Sequence, residues 1–199
     1  MSIPRHQCLI YKGLPSQNLP ALAATIQRKL KENCRCLYLN SPVMTAGMGS
    51  CLAAIGVDVC DETERKNPML SSDQSHLVNG QFDVDRMVDT LEQAVQRALS
   101  DGHAGLWATG DMTWEFGSQR NLAKLVDYER RLEELFQKYP ILGGICQYHA
   151  DTLPREILQQ GLQTHPSIFV NETLSYINTH YIHPGLDGVA SNPSQIARG

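Results

Sequence analysis

His6-Gln7-Cys8-Leu9-Ile10-Tyr11-Lys12-Gly13-Leu14-Pro15-Ser16-Gln17-Asn18 is the stretch whose reading decides the fold. His6 to Tyr11 reads as a buried first strand, Leu19 to Lys31 as a helix and Cys36-Leu37-Tyr38-Leu39 as the next strand, so the chain opens with a βαβ unit. A nucleotide-hydrolysing protein of this build carries G-x-x-x-x-G-K-[ST] between strand and helix, where backbone N–H groups and a lysine hold phosphates. Here that segment has one glycine, no Gly-Lys pair and a proline without a donor. No phosphate cradle is expected, and His6 and Cys8 stand at the edge of the place it would take.

Outward from this unit, helix and strand signals alternate. Asn18 is placed to cap the first helix, whose Leu22, Ile26 and Leu30 make an apolar stripe that Asn33 follows. Ser41-Pro42 starts a second helix carrying Met44, Met48, Cys51, Leu52 and Ile55 and stopped by Gly56. Val57 to Cys60 reads as a short strand, Asp61 to Pro68 as a charged excursion, and Met69-Leu70 as the start of another extended segment. Asp83 caps the clearest helix, with Val84, Met87, Val88, Leu91, Val95, Ala98 and Leu99 on one side and Gly102 past its end.

Ala104 to Thr109 reads as a buried strand running into Gly110-Asp111-Met112-Thr113-Trp114. A long helix follows from Asn121 to Lys138. Its buried side is read as Leu122, Leu125, Leu132, Leu135, Phe136 and Tyr139, and its wet side as Glu129, Arg130, Glu133 and Glu134. Ile141 to Tyr148 is a strand, Pro154 to Gln160 a helix ending at Gly161, and Ser167 to Val170 a late strand. This order predicts an α/β fold with a mostly parallel central sheet and helices on both faces. One domain is expected over residues 1–184, followed by a loose tail rich in Gly, Ser, Asn and Pro over 185–199.

With 17 basic against 21 acidic side chains and a formal charge of −4, the 199-residue chain has no source for the counterion release that drives nucleic-acid binding. No apolar run approaches the roughly 20 residues that span a bilayer. A cytoplasmic protein with no membrane and no direct nucleic-acid partner is expected. The six cysteines, Cys8, Cys36, Cys60 and Cys146 among them in strand-like runs, read as reduced thiols.

In an open parallel sheet, ligands bind beyond the carboxyl ends of the strands. His6 and Cys8, two apart on a strand, project from one face. Asp111 and Trp114 leave one strand end, and Cys146, Tyr148 and His149 leave another. His165, in the turn before the last strand, belongs to the opposite rim unless its loop folds back. For each residue a plainer role competes. Cys8 and Cys146 suit a core, Asp111 suits a helix cap, and His149 and His165 suit turns. His6 is different, because an imidazole facing a core needs partners for both nitrogens and none is nearby in sequence.

A metal reading would draw on His6, Cys8, Cys146 and His149, but no C-x-x-C or H-x-x-x-H spacing supports it, and neither a metal nor another cofactor is expected. A hydrolase lacks G-x-S-x-G and a cysteine at a helix start with an assignable base.

Six ordered motifs carry a resemblance. They are His6-x-Cys8-x-x-Tyr11, Leu77-x-x-Gly80-x-Phe82-Asp83-x-Asp85-Arg86-Met87, Gly110-Asp111-Met112-Thr113-Trp114, Tyr128-Glu129-x-x-Leu132, Cys146-x-Tyr148 and His165-Pro166. Together they resemble the MEDS domain, a sensory domain named for methanogens, methylotrophs and the dichloromethane-responsive repressor, over nearly the whole chain from residue 6 to Pro184. The resemblance implies a RecA/KaiC-like core that has lost its Walker A loop and senses small organic molecules, hydrocarbon derivatives among them, with the His-x-Cys pair as a ligand contact. Asp111 stands where the family has glutamate. Relatives fuse the module to a kinase or a DNA-binding domain.

The expectation is therefore a non-enzymatic signalling module that binds a small organic ligand at the strand carboxyl ends. Its ligand-binding residues would be His6, Cys8, Tyr11, Asp111, Trp114, Cys146, Tyr148 and His165. The signal would pass to a separate kinase or transcription regulator, and self-association into a homo-oligomer is a further partner reading. The alternatives are an enzyme or residual nucleotide binder of RecA-like descent, or a thiol-based redox sensor acting through Cys8.

Overall fold

The computed structural model describes residues 5–59, 70–115 and 122–183. Its elements are β1 (His6–Tyr11), α1 (Leu19–Lys31), β2 (Cys34–Leu39), α2 (Pro42–Ala54), β3 (Leu70–Ser71), β4 (Leu77–Val78), β5 (Gln81–Phe82), α3 (Val84–Ser100), β6 (Gly105–Asp111), α4 (Met112–Glu115), α5 (Leu122–Lys138), β7 (Leu142–His149), α6 (Arg155–Thr164), β8 (Ser167–Phe169) and β9 (Ser175–Ile177). Seven strands form one sheet in the order β3-β2-β6-β7-β1-β8-β9. All pairings are parallel except β8 with β9. The predicted α/β class with a mostly parallel sheet is what the chain adopts.

The pleat of β1 divides the core. Leu9 and Tyr11 join α1, α2, Trp107 and Ile145 on one face. Cys8 joins α3, α5, Leu106, Cys146 and Tyr148 on the other. His6 shares the face of Cys8, as two-residue spacing requires. Helices therefore cover both sides of the sheet, and the central strands are buried along their length, as parallel sheets require.

Local signals place most boundaries. Ser41 Oγ accepts from Met44 N at the start of α2, and Asp83 Oδ1 from Arg86 N at 3.0 Å at the start of α3. Asn33 and Gly102 follow their helices with φ of 58° and 86°. Asn18 makes no side-chain cap, because Pro15–Asn18 forms a 3-10 turn that feeds straight into α1. Asn79-Gly80, with φ of 52° and 74°, closes the β4–β5 hairpin. Such a pair is a hairpin signal that the motif reading passed over.

Two boundaries differ from expectation. Val57 and Asp58 are not a strand but follow the turn that ends α2. Helix α6 does not stop at Gly161 but runs through it to Thr164. A Cβ on Gly161 would lie 2.9 Å from Cζ of Tyr148, so glycine is there to let α6 sit against that ring. Cys60, the Asp61 to Pro68 excursion and the 185–199 tail lie outside the described residues. Among the described residues no helix is long and apolar enough to cross a membrane.

Candidate functional site

His6 is the first residue of β1, but register sets it level with Gly144 and Ala108 in the middle of β7 and β6, short of the carboxyl rim. It pairs in register with Gly144 of β7, which leaves the space beside it to Phe136. The Phe136 ring stacks on the imidazole with centroids 4.2 Å apart. A Cβ on Gly144 would meet Ala108 O at 2.4 Å, so this close approach of strands and helix needs glycine.

The partners that local sequence could not supply come from α5. His6 Nδ1 lies 2.8 Å from Glu133 Oε2. Glu133 Oε1 also accepts from Tyr181 OH at 3.2 Å and from Gln137 Nε2. Glu129, one turn earlier, accepts from Tyr148 OH. Reading Glu129 and Glu133 as the wet side of this helix was wrong: their exposures are 1% and 8%. They flank Leu125, Leu132 and Phe136 on the stripe that faces the sheet. Their buried carboxyls are held by hydrogen bonds from elements more than ten residues away, and those partners decide which flank of α5 turns inward.

His165 completes the group. As the sequence reading allowed, it lies at the amino end of β8, and its ring centroid is 4.0 Å from that of His6. Its Nδ1 is 2.7 Å from Gly161 O, and a carbonyl can only accept, so the proton is on Nδ1. Asn178 Nδ2 holds the His165 carbonyl at 2.7 Å and fixes the turn.

Both rings therefore turn Nε2 toward one point. His6 Nε2 is 3.7 Å from Cys146 Sγ and 3.9 Å from Glu129 Oε2, and His165 Nε2 is 3.6 Å from the same oxygen. One donor atom from each of His6, Glu129, Cys146 and His165 lies within 4.8 Å of the others, and all four residues are buried. Glu129 Oε2 and His165 Nε2 have no hydrogen-bond partner at all.

Burial sets the protonation of this cluster. It lowers His6 to about 3 and His165 well below its ordinary value, so both rings are neutral at physiological pH. It pushes the Glu129 carboxyl up to about 8 despite the opposing Tyr148 bond. It also pushes the Cys8 thiol up to about 12, with the Glu129 carboxyl adding to the shift. Held protonated in this way, the buried Cys8 thiol is a poor thiolate.

Against the inner edge of the cluster lies an apolar cavity of about 30 Å³, bounded by Cys146, Phe136, Leu132, Leu91, Met87 and Ala108 among others. It holds about one water-sized group without movement, since roughly 10–15 Å³ suffices for a water.

The eight expected site residues thus divide between two places. His6, Cys8, Cys146, Tyr148 and His165 lie on the α5 side of the sheet. Tyr11, Asp111 and Trp114 lie at the carboxyl ends. There Tyr11 OH donates to Asp111 Oδ2 at 2.9 Å, Asp111 Oδ1 caps α4 by accepting from Trp114 N at 3.1 Å, and the Tyr11 ring stacks on His149 at 4.9 Å. Tyr11, Asp111 and Trp114 satisfy one another and the Trp114 ring meets His76 edge-on, while His149 Nε2 is buried without a hydrogen-bond partner, 3.7 Å from Asp151 Oδ2. The single hollow expected at the carboxyl ends is not formed, because the pleat of β1 sends His6 and Cys8 to the α5 face and Tyr11 to the other. His149 is with Tyr11, not with Cys146.

The model of the methanogen/methylotroph, DcmR sensory domain (MEDS) matches residues 5–166. The chain belongs to the MEDS family. No curated protein matches it. As a MEDS chain it is a sensory domain, and the matched segment contains His6, Glu129, Cys146 and His165. Asn178 and Tyr181, which position the cluster from outside that segment, were missed by the sequence reading. Glu129 was present there within the Tyr128-Glu129-x-x-Leu132 motif but was read as wet; its helical spacing with Leu125 and Leu132 was the signal that could have placed it inward.

Proposed function

We propose that this MEDS domain senses a small organic molecule at the His6–Glu129–Cys146–His165 cluster and its adjoining cavity, without enzymatic turnover. The observation that carries this reading is the meeting of unpartnered buried polar atoms with a small apolar void that shares Cys146. Such a place suits a compound with an apolar body of very few heavy atoms and one polar or donor end.

Non-enzymatic action is supported by the absence of solvent access to the two histidines and by the protonated Cys8 thiol. Helix α5 carries Glu129, Glu133, Leu132 and Phe136 on its inner side and exposed Val126 and Arg130 outside. Occupancy that shifts α5 would alter the face shown to a separate output protein. RecA-like descent belongs to the same proposal. Its support is that Gly13 N, in the loop where phosphate would lie, donates to the Asp151 carboxylate at 2.7 Å.

Thermal unfolding with a panel of small alcohols, thiols, amines and halomethanes tests the reading. At least one class should raise the midpoint of the wild-type chain. Leu91→Phe, which fills the cavity from α3 without touching the cluster, should abolish that shift. Equal responses in both proteins would reject this location.

A further inference from the structure

We propose that His6, Glu129, Cys146 and His165 form a four-coordinate site for a divalent transition ion of the zinc type. It names an occupant for the cluster described above and depends on the sensing reading only for its biological use; ion binding itself stands on the geometry.

The spacing fits. Zinc bonds of about 2.0–2.3 Å at tetrahedral angles set neighbouring donors roughly 3.3–3.8 Å apart. The closest separations here are 3.6, 3.7 and 3.9 Å. The widest pair lies within 4.8 Å, so side-chain torsions that draw the donors together by up to about an ångström bring them onto one ion. Glu129 Oε2 and His165 Nε2 lie beyond hydrogen-bonding reach of each other, whereas His6 Nε2 and Cys146 Sγ, at 3.7 Å, are within reach of a hydrogen bond to sulfur.

Three of the four donors are also held from behind in the manner of metal ligands. Glu133 takes the Nδ1 side of His6, and the Gly161 carbonyl takes Nδ1 of His165. Tyr148 OH binds the second oxygen of Glu129 and leaves Oε2 free to coordinate. Two neutral imidazoles therefore aim lone pairs at the point faced by Glu129 Oε2 and Cys146 Sγ. Without an ion, two of these atoms are buried and unsatisfied, a cost that a folded protein seldom leaves uncompensated.

The donor set selects the ion. Two nitrogens, one sulfur and one oxygen suit a borderline cation and disfavour calcium or magnesium, which take oxygen ligands. On binding, the carboxyl of Glu129 and the thiol of Cys146 each release a proton to solvent. One metal–oxygen and one metal–sulfur bond replace O–H and S–H, with no change of oxidation state. The dication is balanced by one carboxylate and one thiolate, so the core gains no net charge. The sequence could not show this, because the ligands come from β1, α5, β7 and the α6–β8 turn and share no local spacing.

The test uses the full chain without a histidine tag, stripped with EDTA and titrated with Co²⁺ and then Zn²⁺. We expect one Co²⁺ per chain, visible bands of tetrahedral intensity, a thiolate-to-cobalt absorption in the near ultraviolet, and displacement by Zn²⁺. Cys146→Ser should lose the thiolate absorption. Glu129→Gln and His165→Gln should each weaken Co²⁺ binding by about 100-fold or more.

Glu129→Gln is the fold control. It is close in shape to the protonated carboxyl, so its metal-free circular dichroism should match wild type. Cys34→Ser with Cys51→Ser should leave the spectrum unchanged. Wild-type binding without the thiolate absorption, or binding indifferent to Glu129→Gln and His165→Gln, overturns the site. Co²⁺ binding without any response to organic compounds keeps the site and removes the sensor reading; the reverse result keeps the sensor and removes the metal.

Discussion

His165 Nε2 and Glu129 Oε2 face each other across 3.6 Å, and neither has a hydrogen-bond partner. The pair joins α5 to the turn after α6 through a gap too wide for a hydrogen bond and too closed for solvent. The physical state of the cluster follows from that gap, and four predictions build on it and on its supports.

Stability of the EDTA-treated chain should pass through a maximum between pH 4.5 and 6.5. Glu129 is raised in the folded state from 4.5 to about 8, so the unfolded chain holds fewer protons and stability falls as pH rises through that window. The raised Glu133 acts in the same direction. His6, lowered from 6.5 to about 3, acts oppositely: its contribution is complete above 6.5 and is lost as pH falls toward 3. His165 follows the same sign. Between pH 6.5 and 8 the carboxyls act alone within the cluster, each by at most about 1.4 kcal/mol per pH unit. Urea midpoints measured across this range should decline in wild type and decline less in Glu129→Gln. Parallel slopes in the two proteins would contradict the raised Glu129.

Gly161→Ala should destabilise the chain by about 1–3 kcal/mol through overpacking against the Tyr148 ring. An exposed helical glycine would instead gain roughly 1 kcal/mol from the same change. The sign measured by chemical denaturation thus reports whether α6 sits on Tyr148, 2.9 Å from the added Cβ.

Asn178→Ala should cost about 1–3 kcal/mol, since it strips donors from the buried carbonyls of Leu162 and His165. Tyr181→Phe, which removes only one part-buried bond to Glu133, should cost less, about 0.5–1.5 kcal/mol. Denaturation of both variants checks this order. A reversed order would mean that the segment after Pro166 does not hold the cluster as described.

Calorimetry with ATP and Mg²⁺ should give no heat of binding. The loop after β1 has no Gly-Lys pair, and its Gly13 amide is already taken by Asp151, whose carboxylate repels phosphate. Saturable heat at micromolar nucleotide would refute this.

Much of the scaffold was legible from short-range pattern. The strand–helix alternation, the Ser41 and Asp83 caps and the stripe of α3 all appear where propensity and periodicity put them. The failures lie where a distant contact overruled a local rule. Gly161 looked like a helix stop, yet it is a place where α6 meets Tyr148. Glu129 and Glu133 looked like a wet face, because charged residues at helical spacing usually are. His6 gave the one true warning, an imidazole with no local partner.

The sequence by itself determined the α/β class, the missing phosphate loop and the family, for these depend on residues two, four or a dozen positions apart and on motifs in order. Only the tertiary structure decided that His6, Glu129, Cys146 and His165 share one buried point between the sheet and α5. Strand register, the rotation of α5 about its axis and the fold of the His165 turn fix that meeting. Each is set by packing between elements that are remote in the chain, which no local spacing encodes.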